Sequence, residues 1–274
     1  MLFGTNVLGP MAPTGPIRIW DAGTQWCDLE KQKGVWEWSK LDSIVNQAGS
    51  RSIMIVLGHP PAWAAKGGPD GRQASWMAPG SNRPAINMET WRRYVHAVVM
   101  RYKDRVRHFQ VWNEPADKRF YSGTWAELGT MTKVAYTEIK AIDKNLKVVS
   151  PPLQPRKQAG WNIKGKALLK SMKDVNYPFD IWSCHIYPQK GEGIEGFVRD
   201  CNLVRDAVDL TPRKILWITE TNYNLGGEGN PYQIKQQTAL KALTKNACVK
   251  LDIDRVYWYA YAYNNPKLIA ITNT

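Results

Sequence analysis

Long apolar runs are missing from this sequence. No stretch approaches the roughly 18 apolar residues that a membrane helix needs, so no membrane partner is expected. The opening MLFGTNVLGP has neither a basic start nor a long apolar stretch, so we read no signal peptide in it; action outside the cell stays open if a leader has been removed. Cysteine is scarce and unpatterned. Cys27, Cys184, Cys201 and Cys248 stand alone with no CxxC pair, which removes zinc-site spacing, and a chain of this size needs no disulfide framework. We read the four as packing residues and expect no metal. A glycine-rich phosphate loop is also missing, which argues against a dinucleotide-binding sheet. Low-complexity tracts, internal repeats and linkers are absent, so residues 1–274 read as a single domain.

What is present in excess is positive charge and tryptophan. Lys and Arg number 37 against 24 Asp and Glu, a formal net charge of +13. That favours an acidic partner or a solvated basic surface. The basic residues are spread along the chain with only short clusters such as RYKDRVRH (101–108), so we favour the surface, and no nucleic-acid motif appears. Thirteen tryptophans supply large flat apolar faces, each with one hydrogen-bond donor. Most should be core; Trp26, Trp76 and Trp161, in loop-like stretches, are equally readable as stacking residues for ligand.

Eight short apolar runs read as strands: 3–8, 17–21, 52–57, 108–112, 147–150, 181–185, 214–219 and 255–260. Helical patterns lie between most of them. Leu41, Ile44, Val45 and Ala48 recur at helical spacing and Gly49 stops the run. Trp91, Tyr94, Val95, Val98, Val99 and Tyr102 make a longer stripe. Thr124 and Glu127 form a capping box ahead of Leu128, Met131, Ala135 and Ile139. Asn230 with Pro231 reads as a cap followed by a first helical residue. Near-continuous apolar strands alternating with helices imply a parallel sheet buried on both faces, and eight of them a (β/α)₈ barrel. Two helix slots look missing or vestigial: the segment after strand 1 is GPMAPTGP (9–16), and about a dozen residues follow strand 8. The outer face of Phe3–Leu8 should then be covered by one of these segments, by another domain or by a second copy, and oligomeric state is left open.

Active sites of such barrels lie at the C-terminal ends of the strands. Strand 4 runs into VWNEPAD (111–117), placing Glu114 at the rim, and strand 7 into WITETNYN (217–224), placing Glu220 there. Two carboxyls about 5–5.5 Å apart are what a retaining glycosidase requires, one to protonate the leaving oxygen and one to attack the anomeric carbon. Alone, Glu114 could be a barrel-rim salt bridge; the presence of Glu220 argues against it.

Several segments carry a resemblance: RIWDAGTQWCDLE (18–30), GVWEWSKLD (34–42), LGHPPAWA (57–64), RYKDRVRHFQVWNEPAD (101–117), CHIYP (184–188), WITETNY (217–223) and VYWYAY (256–261). Together they resemble the clan A glycoside hydrolases, nearest to glycoside hydrolase family 39 and its uncharacterised relatives. The resemblance implies Glu114 as acid/base and Glu220 as nucleophile. It implies that Asn113 hydrogen-bonds the sugar 2-hydroxyl, that Tyr187 donates to Glu220, and that His185 lines the −1 subsite. Arg18 would sit beneath the carboxylates and Trp258 would floor the subsite. His59 and Trp63 are weaker candidates for the glycone end. Structural roles are the alternative for Arg18, His185, Tyr187 and Trp258; His96 and His108 read as structural. The implied activity is hydrolysis of a β-linked oligo- or polysaccharide with retention, without cofactor. A transglycosylase with the same site and a non-catalytic carbohydrate-binding barrel are the rivals.

Overall fold

A computed structural model describes residues 2–7, 15–69, 71–155, 161–189, 191–222 and 231–259. Its strands are β1 (Leu2–Val7), β2 (Ile17–Ile19), β3 (Ile53–Leu57), β4 (His108–Val111), β5 (Lys147–Val149), β6 (Trp182–Ile186), β7 (Leu216–Thr221) and β8 (Ile253–Trp258). Each falls on an apolar run, within two residues at its start and end. All pair in parallel in the order β5-β4-β3-β2-β1-β8-β7-β6. The outer two meet through parallel bridges Val149–Ile181 and Leu153–Cys184, so the sheet closes on itself. The fold is an α/β barrel of the (β/α)₈ type.

Helices α1 (Trp26–Leu29), α2 (Ser39–Gln47), α3 (Met88–Tyr102), α4 (Trp125–Ile142), α5 (Lys166–Asp174), α6 (Gly193–Asp209) and α7 (Pro231–Lys250) follow the strands. Gly49 ends the α2 segment in the left-handed conformation, φ 57°. On α3 the buried residues are Trp91, Tyr94, Val95, Val98, Val99 and Tyr102, the stripe that the sequence spacing picks out. Among the described residues no helix is long and apolar enough to cross a membrane. Segments 8–14 and 260–274 and the side chain of Phe3 lie outside the described residues, and with them the question of what covers strand β1.

The α4 start shows how local chemistry fixes an element. Thr124 accepts a hydrogen bond from the Glu127 N–H at 3.2 Å, and Glu127 Oε2 accepts one from the Thr124 N–H at 2.8 Å. Thr124→Ala removes one half of this box and should cost about 1 kcal/mol. In a chain of this size that is a fall in Tm of about 2–4 °C, checked by thermal unfolding. An unchanged Tm would mean the loop, not the cap, sets where α4 begins.

The main core fills the space between barrel and helices, and includes Ile17, Ile55, Val111, Trp26, Trp91, Val95, Leu128 and Phe197. A second cluster, Met54, Val149, Ile181, Trp217 and Tyr257, fills the barrel itself. The four thiols are buried and unbonded to one another; burial pushes them up, Cys27 and Cys248 to about 12, which leaves them as small apolar packing groups.

Candidate active site

Strand alternation places every second side chain inside the barrel. On β2 this brings in Arg18, and on β6 Ser183 and His185, with Tyr187 one step further. Two strands break the alternation, and both breaks fall beside a glutamate.

On β4, Gln110 points inward, so Trp112 would be the next inward residue. Trp112 instead adopts a left-handed backbone, φ 63°, and its ring turns into the core, 5.1 Å from Tyr121 and 6.5 Å from Trp91. Its amide donates to the Leu57 carbonyl at 2.7 Å and its indole to the Phe120 carbonyl at 2.9 Å. Gly58 makes room: a Cβ there would lie 2.8 Å from the Trp112 ring. The reversal brings Asn113 to the mouth, and a second left-handed residue, Glu114 at φ 42°, aims its carboxyl there. Each such non-glycine conformation costs on the order of 1–3 kcal/mol and persists because its surroundings over-determine it.

On β7, Trp217 lies in the interior cluster and the Thr219 hydroxyl accepts from Gln110 Nε2 at 3.2 Å, so Glu220 should face the helices. The register shifts instead: Cys184 pairs with Ile218 but His185 with Glu220, and Ile218 pairs with Val256 but Thr221 with Trp258. This irregularity swings Glu220 inward beside its neighbour, as bulges next to active sites commonly do.

Glu114 and Glu220 therefore meet. One oxygen of each, with a His185 ring nitrogen, lies within 4.8 Å of the others. Glu114 is 5 % and Glu220 4 % exposed. Glu220 accepts from Arg18 Nη1 at 2.6 Å on one oxygen and from the Tyr187 hydroxyl at 2.8 Å on the other. His185 Nδ1 stands 3.1 Å from Glu114 and 3.4 Å from Glu220. Burial, then the negative glutamates, push the Tyr187 phenol well up, so it stays protonated and can only donate to Glu220. The three ligand atoms are close enough for a cation to bridge. Arg18, however, already supplies positive charge to Glu220, and both Glu220 oxygens are engaged by donors, which suits an acid/base and nucleophile pair better than a metal site.

Arg18 is fully buried and directs four hydrogen bonds: to Gln110 Oε1 at 2.7 Å, Asn6 Oδ1 at 2.7 Å, Asn113 Oδ1 at 2.6 Å and Glu220. None goes to Glu114. Gln110 in turn donates to the Ser183 hydroxyl at 2.9 Å. A polar layer of Asn6, Arg18, Gln110, Ser183 and Thr219 thus underlies the carboxylates. Gln110 and Asn6 escaped the sequence reading, although a polar residue at an inward position of an apolar strand was the available signal.

The structure brings Arg18, Asn113, Glu114, His185, Tyr187 and Glu220 together. His59 is buried between Trp20 and Trp112, with ring centroids at 4.5 and 4.7 Å, and Nδ1 is 3.1 Å from the Ser81 carbonyl. Burial pushes it down to about 3, so it is a neutral imidazole. Trp63 is engaged elsewhere: its indole donates to the Glu30 carbonyl at 3.0 Å and its ring packs on Trp26 and Arg93. Trp258 is 8 % exposed and packs in the main core. Tyr259, which follows it, packs with Trp20 and donates to Asp21 at 2.6 Å. Trp26 and Trp161 are buried, Trp26 stacked on Tyr94 at 4.4 Å, so neither is a loop platform. His96 is an exposed partner of Glu138, and His108 packs on Trp217 inside the barrel.

An eight-stranded parallel barrel with a glutamate pair facing across its C-terminal mouth is the architecture of the clan A glycoside hydrolases. The profile of the Glycosyl hydrolases family 39 matches residues 26–205, and the chain belongs to that family. The matched stretch takes in Glu114 and ends ahead of Glu220. Endo-1,4-beta-xylanase C from Phanerodontia chrysosporium is 26% identical over 195 residues, 68% of this chain and 45% of that protein. A glucosidase from Croceicoccus marinus superposes with a TM-score of 0.70 at 16% identity, covering 97% of this chain and 62% of the other. A monomeric beta-xylosidase from Caulobacter crescentus CB15 gives 0.68 at 20% identity, covering 90% and 53%. These two likenesses concern the fold. The chain spans less than two thirds of the length of each of the three.

Proposed function

We propose that the protein is a retaining glycoside hydrolase acting on a β-linked oligo- or polysaccharide. Glu114 protonates the glycosidic oxygen while Glu220 attacks the anomeric carbon, and Glu114 then activates the water that releases the glycosyl-enzyme. The observation that carries this is the asymmetric pair. One oxygen of each carboxyl lies within 4.8 Å of one on the other, which fits the about 5–5.5 Å carboxyl spacing of a double-displacement site. Arg18 and Tyr187 each donate a hydrogen bond to Glu220, whereas none of the four Arg18 hydrogen bonds goes to Glu114. We assign Asn113, which accepts from Arg18, to the sugar 2-hydroxyl.

Xylan-type chains head the substrates to try, because two of the similar proteins are a xylanase and a xylosidase. The test is a screen of plant, bacterial and anionic β-glycans, followed by proton NMR of the first-formed product. The β-anomer is expected before mutarotation; the α-anomer would overturn the nucleophile assignment.

A further inference from the structure

Twelve of the thirteen tryptophans are buried or half-buried. Trp76 alone is exposed, at 59 %. It lies in the long connection between β3 and α3, on the same side of the barrel as the carboxylates. Its ring meets Trp20 at 6.3 Å in a T-shaped contact and Phe120 at 6.1 Å, and those two meet each other at 6.0 Å. Both partners follow, in sequence, strands that carry site residues. Trp20 is two residues beyond Arg18, just past the end of β2, and it is buried against His59. Phe120 follows Glu114 in the loop after β4, and its carbonyl holds the Trp112 indole.

An indole buries about 150–250 Å² when packed, and more than half of this residue is left in water. Here the ring is oriented by two aromatic contacts yet left largely uncovered, at the end of the barrel that carries the carboxylates. Isolated exposed apolar residues are common and mean little. An oriented, exposed tryptophan that continues an aromatic wall out of a catalytic mouth is what ligand sites are lined with.

We propose that Trp76 is the platform of a distal sugar subsite. It takes the apolar C–H face of a pyranose some residues along the chain from the bond cleaved. The inference rests on the glycosidase reading above and deepens it: the site favours long linear β-glycans over short ones.

The experiment uses the whole chain carrying Glu220→Gln, so that bound glycan stays intact. Hexasaccharides and disaccharides of β-1,4-xylan, glucan and mannan are titrated by calorimetry and tryptophan fluorescence. A hexasaccharide should bind and perturb the fluorescence. Adding Trp76→Ala should weaken it about tenfold while changing the disaccharide less than about twofold, and Trp76→Phe should recover most of the loss. Leu210→Ala, at an exposed residue of the helix layer, is the neutral control.

Equal loss at both lengths, or no loss, overturns the subsite. Absent hexasaccharide binding by a protein that still hydrolyses aryl β-glycosides also overturns it, and leaves the glycosidase reading standing. Trp76-dependent binding in a protein that hydrolyses nothing supports the subsite and sinks the reading of the glutamates. Failure to bind and to hydrolyse overturns both.

Discussion

Glu220→Ala should lower kcat by about 10⁴–10⁶-fold, since it deletes the only carbon-attacking group the mechanism has. The truncated side chain leaves space for a small anion over the Arg18 guanidinium. Azide should enter there and restore turnover, with the α-glycosyl azide as product because it attacks from the nucleophile's face. Truncation also strips Arg18 of one partner, so a companion Glu220→Gln, which keeps an acceptor at that place, checks that lost activity is not lost folding. Glu114→Ala should behave differently. Aryl glycosides with good leaving groups need little protonation, so their glycosylation step should survive while deglycosylation slows. Azide should then yield the β-glycosyl azide. If Glu114→Ala lost good and poor leaving groups alike in the first step, its acid role would be wrong. If azide rescued neither variant, the double displacement would be wrong.

The strands were legible in the sequence because a parallel barrel buries both faces of its strands and leaves continuous apolar runs. The α3 stripe and the Thr124–Glu127 box were legible because both are local patterns. The glutamates were legible because Asn113-Glu114-Pro115 and Thr219-Glu220-Thr221 end strands. What could not be read was how Asn113 and Glu220 reach the mouth. Simple alternation from Gln110 would put Asn113 on the wrong face, and alternation from Thr219 would do the same to Glu220. A left-handed Trp112 and a register shift correct this, and neither has a local sequence signature; the former depends on Gly58, more than fifty residues earlier. Trp26 was misread as a loop residue because the one-turn helix α1 is too short to show periodicity, yet its ring stacks on Tyr94 of α3. Trp63 was read toward the glycone by its place after β3; its contacts with Arg93 and Glu30 come from distant parts of the chain and had no local signature.

Arg18→Met should be the most destabilising single change at this site, costing about 3–5 kcal/mol. The methionine replaces the side chain's bulk without its charge. It leaves four buried oxygen acceptors, on Asn6, Gln110, Asn113 and Glu220, without their donor. The largest share comes from Glu220, a buried carboxylate that loses the guanidinium 2.6 Å away. At about 2–4 °C per kcal/mol for a chain approaching this length, Tm should fall by roughly 10 °C. Lysine should not rescue it. One ammonium with three donors cannot serve four acceptors arriving from strands β1, β4 and β7 and the loop after β4, where the planar guanidinium can. Activity should fall with stability but not in proportion, because Asn113 and Glu220 lose their shared anchor even in molecules that remain folded. A double-mutant cycle separates the parts. Glu220→Gln in the Arg18→Met background removes the unpaired charge, so the double variant should unfold at a higher temperature than Arg18→Met alone, giving a coupling within about 0.5–3 kcal/mol. If the two substitutions were simply additive, Arg18 would be a packing residue of the barrel interior. The glutamate would then owe its inward aim to the β7 irregularity and to Tyr187 alone.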